Sequence, residues 1–81
     1  MYTYETEGTC SRQIQFNLKD GKVYDVVFVG GCNGNLKGIG KLVEGMDAKE
    51  VVARLKGNTC GNKPTSCPDQ LALALEAALA E

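Results

Sequence analysis

The first half of the chain alternates between apolar and polar residues, as the strands of a half-buried sheet do. Over residues 11–18, the apolar side chains fall on one face of an extended chain: Ile14, Phe16 and Leu18. Asp20-Gly21 follows, a dipeptide that two-residue hairpin turns favour. Residues 23–29 return as a second strand, whose greater apolar content predicts a central position in the sheet. We therefore predict a hairpin over residues 11–29, with a further short strand at residues 2–4.

The second half carries apolar residues at helical spacing in three segments, at about residues 35–45, 47–56 and 67–80. In the first segment the predicted apolar stripe consists of Leu36, Ile39, Leu42 and Val43. Asp47 and Ser66 are the residue types that cap helix N-termini, and Gly57 is the type that follows a helix C-terminus. A run of strands followed by a run of helices predicts an α+β fold, with the helices packed on one face of an antiparallel sheet.

Length, net charge and composition exclude several classes of protein. The chain has 81 residues, which predicts one domain over residues 1–81. A domain of this size buries only about 60% of its unfolded surface and usually needs a further stabilising element. The net charge of −1 gives no overall basic field for nucleic acid, although a local patch on the lysine-rich helices leaves a nucleic-acid-binding module open as an alternative. The first eight residues lack the features of a signal peptide, and no apolar run is long enough to span a bilayer. We therefore predict a cytoplasmic protein without membrane association.

Four cysteines and no histidine make sulfur the main candidate chemistry. All four lie at boundaries between predicted elements: Cys10, Cys32, Cys60 and Cys67. The start of one hairpin strand and the end of its partner lie side by side, so Cys10 and Cys32 can meet, while one loop connects Cys60 to Cys67. Cytosolic thiols more often bind metal than form structural disulfides. We predict that the four cysteines bind one metal at one end of the molecule, with zinc favoured and iron or an iron–sulfur cluster as the alternative.

Other roles for the cysteines stay open at this point. They could be buried as small apolar residues, or form disulfides such as Cys60–Cys67. The same pair could act as a dithiol relay, because a helix N-terminus at Cys67 would favour the thiolate. Without histidine or a carboxylate pair beside a nucleophile, we expect no catalytic activity from the chain alone.

The glycine-rich segment 31–38 joins the predicted hairpin to the first helix. Lys37 and Lys41 follow it, and a helix N-terminus of this kind can bind a nucleotide or another anion. The segment matches neither dinucleotide-binding nor phosphate-loop motifs, so we favour a turn that supports Cys32. Gly38 and Gly40 each weaken the first helix by about 1 kcal/mol relative to alanine, so we expect the structure to compensate for them.

Several segments resemble the TSCPD family. The motif that names the family is found at Thr65-Ser-Cys-Pro-Asp69, and further matches lie at residues 10–12, 30–38 and 55–61. The chain is most similar to the small stand-alone branch, whose four cysteine positions suggest metal binding. Similar domains occur at the C-terminus of adenosylcobalamin-dependent ribonucleotide reductases. The resemblance thus implies a ribonucleotide reductase as partner and an association with deoxyribonucleotide synthesis. It does not imply reductase activity, because 81 residues cannot build the reductase barrel.

The order of elements is loosely similar to that of the U-type iron–sulfur scaffold proteins. In both, a cysteine precedes a hairpin, a Gly-Cys pair follows it, and another cysteine lies at the last helix. Those scaffolds use three cysteines with other ligands, whereas this chain has four cysteines and no histidine. Zinc therefore remains the expected metal, and an iron–sulfur cluster the alternative.

Overall fold

The chain folds in the order that the sequence predicts, with three strands first and three helices after them. The computed structural model describes residues 1–9, 11–30, 33–59, 61 and 64–80. Its elements are β1 (Tyr2–Glu5), β2 (Ser11–Lys19), β3 (Lys22–Gly30), α1 (Asn33–Val43), α2 (Ala48–Leu55) and α3 (Cys67–Leu79). The predicted α+β class is confirmed. None of the helices within these residues is long and apolar enough to cross a bilayer.

The three strands form one antiparallel sheet in the order β1-β2-β3. The prediction that the more apolar strand is central is wrong, because β3 lies at an edge and β2 lies in the middle. Two neighbours account for the apolar content of β3. Helix α1 packs against it, and residues 45–48 run beside its start. There the Val23 N–H donates to the Met46 carbonyl at 2.9 Å, and the Gly45 N–H donates to the Val23 carbonyl at 2.7 Å.

The predicted hairpin turn is confirmed at Asp20-Gly21. Both residues have positive φ angles, 54° and 77°, as the turn that matches strand twist requires. The strands then pass a bulge, because the register moves from Gln15↔Val27 to Asn17↔Tyr24. Two residues of β3 therefore oppose one residue of β2 at this point. One of the two is Asp25, whose φ of 56° lies in the left-handed region.

The apolar core lies between the sheet and the helices. It is formed by side chains of β2, β3 and all three helices, among them Ile14, Phe16, Val23, Val43, Val51, Leu71 and Leu75. The Tyr2 ring stacks on Phe16 with 5.3 Å between centroids. Leu42 was predicted to join this core and does not, since 77% of its surface is exposed. Successive helical residues are rotated by about 100°, so packing Val43 against the core turns Leu42 toward solvent.

A glycine allows α1 to lie close to β3. A methyl group at Gly40 would be 3.0 Å from the carbonyl oxygen of Val26. Close helix–strand packing therefore compensates for the weak helix propensity of this residue. Gly38 has no such neighbour among the described residues, none of which lies within 4 Å of the same test position. Nothing in the structure explains a glycine at position 38.

Candidate functional site

Cys67 is the first residue of α3, and the local sequence explains why the helix begins there. The Ser66 hydroxyl caps the helix by accepting a hydrogen bond from the Asp69 N–H at 3.2 Å. Pro68 lies in the first turn, where its missing N–H costs no helical hydrogen bond. Ser66 was predicted as the N-cap, and this prediction is confirmed. The cap leaves Cys67 buried, with 6% of its surface exposed.

Ser11, the first residue of β2, lies beside Cys67. Its hydroxyl oxygen is 3.1 Å from the Cys67 sulfur, a distance at which either atom can donate. The Ser11 carbonyl accepts hydrogen bonds from the hydroxyls of Thr6 and Thr9, and its Cα is paired with that of Gly30. The start of β2, the end of β3 and the start of α3 therefore meet at one end of the sheet.

Four polar side chains are buried around the first turn of α3. We call this group the α3 polar cluster: Thr65, Ser66, Asp69 and Gln70. The Asp69 carboxylate accepts a hydrogen bond from the Thr65 hydroxyl, and a second one from the Gly57 N–H at 2.7 Å. Thr65 in turn accepts a hydrogen bond from the Gln70 side-chain amide at 3.0 Å. The carboxylate, hydroxyl and amide thus form one connected network.

The α3 polar cluster also bonds to two segments that are distant in sequence. The Gln70 side-chain oxygen accepts from the Glu7 N–H at 3.2 Å, and the Ser66 hydroxyl donates to the Asn58 carbonyl. Within the described residues, every buried side-chain nitrogen and oxygen has a hydrogen-bond partner. The cluster is therefore a satisfied network, in which burial of polar groups carries little penalty.

Asp69 is ionised in this network. The hydrogen bond from the Thr65 hydroxyl holds the pKa of Asp69 below its ordinary value, and the Gly57 N–H and the charge of Lys56 act in the same direction. Burial opposes these effects by disfavouring the charged form, but it is the weaker influence. The first turn of α3 thus carries a negative charge at neutral pH, where the helix dipole favours one.

Of the four predicted metal ligands, Cys67 lies within the described residues. Cys10, Cys32 and Cys60 lie outside them. In the part of the chain that is described, no group of three or more cysteine, histidine, aspartate or glutamate side chains could hold a metal ion. The four-cysteine site therefore stays a prediction.

The two lysines predicted to bind an anion lie on one side of α1. Lys37 and Lys41 line a groove of about 540 Å³ between α1 and β3, together with Asp25, Glu44 and neighbouring residues. The Glu44 carboxylate accepts from the Asp25 N–H at 2.9 Å. The groove thus has two carboxylates beside its two lysines, and its charge is mixed. Anion binding at this groove stays a prediction.

Sequence reasoning did not assign a role to Ser11, Thr65 or Gln70. One signal could have found Gln70, since it lies four residues before Ala74 and therefore on the apolar face of the predicted helix. No pattern in the sequence pairs Gln70 with Glu7, because the two residues are 63 positions apart. Ser11 lies at the start of an alternating strand, where a buried serine cannot be distinguished from an exposed one.

Comparison with known proteins identifies the family. The family model of the TSCPD domain matches residues 2–79, which is nearly the whole chain. The chain therefore belongs to the TSCPD domain family. No curated protein and no solved structure matches it significantly.

Proposed function

We propose that this member of the TSCPD domain family is a small metal-binding accessory domain. In this proposal one zinc ion is held by the thiolates of Cys10, Cys32, Cys60 and Cys67. The observation that carries the proposal is the contact of 3.1 Å between the Ser11 hydroxyl and the Cys67 sulfur. It brings the residue that follows Cys10 against the fourth predicted ligand.

The chain neighbours of the other cysteines support the same site. Ser11 is paired with Gly30, which precedes Cys32 by two positions. The Asn58 carbonyl accepts from Ser66, and Asn58 precedes Cys60 by two positions. Consecutive Cα atoms are about 3.8 Å apart, so a residue two positions from these anchors is within reach of the first turn of α3. A single site for four sulfurs is therefore compatible with the positions of the described neighbours.

Zinc is the metal that we propose for this donor set, with iron or an iron–sulfur cluster as the alternative. Four thiolates satisfy tetrahedral Zn²⁺, and a site with four protein ligands leaves no open position for a substrate. Such a site stabilises a fold and does not activate water. Because metal-binding free energy then adds to folding free energy, this chemistry would supply the stabilising element that a small domain needs. An accessory role without catalysis by this chain follows.

The burial of Cys67 favours a metal ligand over a dithiol relay. An attacking thiol must be accessible to its substrate disulfide, whereas 6% of the Cys67 surface is exposed. A ligand can be buried because the metal neutralises its charge. The relay remains the second candidate, and rapid alkylation of Cys67 in metal-replete protein would support it.

For the partner we propose a ribonucleotide reductase. The support is the resemblance to domains at the C-terminus of adenosylcobalamin-dependent reductases. A metal-stabilised accessory domain could dock on such an enzyme without adding a catalytic residue. Reductase assays with and without this chain would test the association, and an unchanged rate together with no co-purification would contradict it.

Metal titration of the reduced, metal-free protein tests the main proposal. We expect one Zn²⁺ or Co²⁺ per chain, with a Co²⁺ absorption spectrum typical of tetrahedral thiolate ligands. Cys67→Ser should weaken binding strongly, while the exposed control Thr3→Ser should leave it unchanged. Iron that binds in preference to zinc would support the alternative cofactor. Wild-type protein that stays folded and binds neither zinc nor iron would contradict the proposal.

A further inference from the structure

We propose that Thr65, Asp69 and Gln70 are positioning residues for the cysteine site, holding the segments that lead into Cys10 and Cys60. The inference rests on the proposed metal-binding function and extends it to residues that are not ligands. Its basis is the network of the α3 polar cluster, which joins the first turn of α3 to the segment after α2 and to the segment after β1.

Asp69 fixes the segment that leads to Cys60. One carboxylate oxygen accepts from the Gly57 N–H at 2.7 Å, directly after α2 ends. The other accepts from the Thr65 hydroxyl, which holds the carboxylate in place. The backbone three residues before Cys60 is therefore bound to the same helical turn that carries Cys67.

Gln70 fixes the segment that leads to Cys10. Its side-chain oxygen accepts from the Glu7 N–H at 3.2 Å, and its amide donates to Thr65 at 3.0 Å. Thr65 therefore connects the bond to Glu7 with the bonds around Asp69. Gln70 and Asp69 bind the two incoming segments directly, and the Thr65 hydroxyl links these two side chains, so a change at Thr65 should affect both.

The composition of the cluster supports a positioning role. Asp69 and Gln70 immediately precede Leu71 and Ala72, which are fully buried in the same helix. Apolar side chains at these two positions could also fill a buried space, and they would need no hydrogen-bond partner. Buried polar groups require partners and gain little net stability from them. The polar residues add specificity, because each hydrogen bond requires one particular backbone N–H to lie against the helix.

The consequence is a site that is partly organised before metal binds. If the segments near Cys10 and Cys60 are already held, less conformational entropy is lost when the ligands close around the ion. Loss of the network should then weaken metal binding even where the fold survives. Outer partners that orient metal ligands typically contribute about 10–100-fold to affinity. We expect a loss near the lower end, about tenfold, because these contacts act through the backbone.

The test compares zinc affinity in isosteric variants, measured by competition with a chromophoric chelator at a temperature where all metal-free proteins are folded. Thr65→Val and Gln70→Met remove hydrogen bonds at similar volume. Thr65→Ser restores the hydroxyl, and Glu50→Gln is a control at an exposed position on α2. We expect weaker zinc binding and an altered Co²⁺ spectrum in the first two variants. Thr65→Ser and Glu50→Gln should resemble the wild type.

Two failures can be told apart in this experiment. Wild-type protein without metal binding would remove the proposed function itself. Wild-type binding with equal zinc affinity in folded Thr65→Val and Gln70→Met would overturn the positioning role, even if both variants melt at lower temperature. If Thr65→Val does not fold, Gln70→Met against wild type decides the outcome. If neither folds, Asp69→Asn takes their place: zinc binding weaker than in the wild type supports the role, and equal zinc affinity in the folded variant contradicts it.

Discussion

Helix α3 is buried along most of its length, but its first turn and its later turns are buried in different ways. The later turns bury Leu71, Ala74, Leu75 and Ala78 in the apolar core. The first turn buries Asp69 and Gln70, each of which bonds to a segment outside the helix. Apolar burial is non-directional and scales with area, whereas a hydrogen bond selects one partner. The later turns therefore stabilise the fold through apolar burial, and the first turn binds two particular backbone groups, the N–H groups of Glu7 and Gly57.

The largest effect should come from the apolar turns. Leu75→Ala removes a fully buried side chain from the core, and such truncations cost about 2–5 kcal/mol. Urea unfolding of the metal-free protein measures the change. Zinc affinity should stay close to the wild-type value wherever the variant is folded, because Leu75 belongs to the apolar core and not to the α3 polar cluster. A destabilisation below about 1 kcal/mol would show that α3 is not held by its apolar face.

The first turn should show a smaller loss of stability. Thr65→Val leaves the Asp69 carboxylate without one of its donors, and an unsatisfied buried polar group costs about 1–3 kcal/mol. A double-mutant cycle with Asp69→Asn should show coupling between the two positions, because they share one hydrogen bond. Thr3→Val at an exposed strand position is the matched control. Additive effects of Thr65→Val and Asp69→Asn would contradict a connected network.

Two glycines of α1, Gly38 and Gly40, test how closely this helix packs against the sheet. Gly38→Ala should raise the free energy of unfolding by about 1 kcal/mol through helix propensity, since none of the residues that the structure describes lies near the new methyl group. Gly40→Ala should lose this gain or destabilise the protein, because its methyl group would meet the Val26 carbonyl oxygen. Chemical denaturation of both variants measures the difference. Equal stabilisation by both would mean that α1 does not pack closely on β3.

The smallest effect should come from the surface. Glu50 and Arg54 form an exposed ion pair on α2 at 2.9 Å, and such pairs contribute about 0.5 kcal/mol or less. Glu50→Gln should therefore change stability less than Leu75→Ala, Thr65→Val or Gly38→Ala, and salt should reduce even that difference. If Glu50→Gln changed the free energy of unfolding as much as Thr65→Val, the buried network would contribute no more than an exposed ion pair. That result would contradict the comparison.

The fold could be predicted from local signals, because those signals act over a few residues. Asp20-Gly21 specified the turn, and Asp47 and Ser66 specified two helix starts. The predicted helix bounds differ from α1, α2 and α3 by no more than two residues. The order of strands was not predictable in this way. Apolar content could not distinguish a central strand from an edge strand that a helix and residues 45–48 cover.

Less of the candidate site than of the fold could be predicted from the sequence. The motif at residues 65–69 identified Cys67 and its helix start, because both follow from short-range patterns. The contact with Ser11 and the bond between Gln70 and Glu7 join positions 56 and 63 residues apart. Such pairs depend on how the sheet and α3 pack, which no periodicity encodes. Cys10, Cys32 and Cys60 lie outside the described residues, so their predicted roles stay predictions.

Elemental analysis of untagged protein, purified from its native host without chelators, tests the central claim most directly. The account predicts about one zinc per chain, retained through gel filtration and lost in Cys67→Ser. Removal of that zinc should lower the melting temperature, because metal binding and folding are coupled. A folded protein purified with no bound metal, whose melting temperature is unchanged by added zinc, would contradict the account.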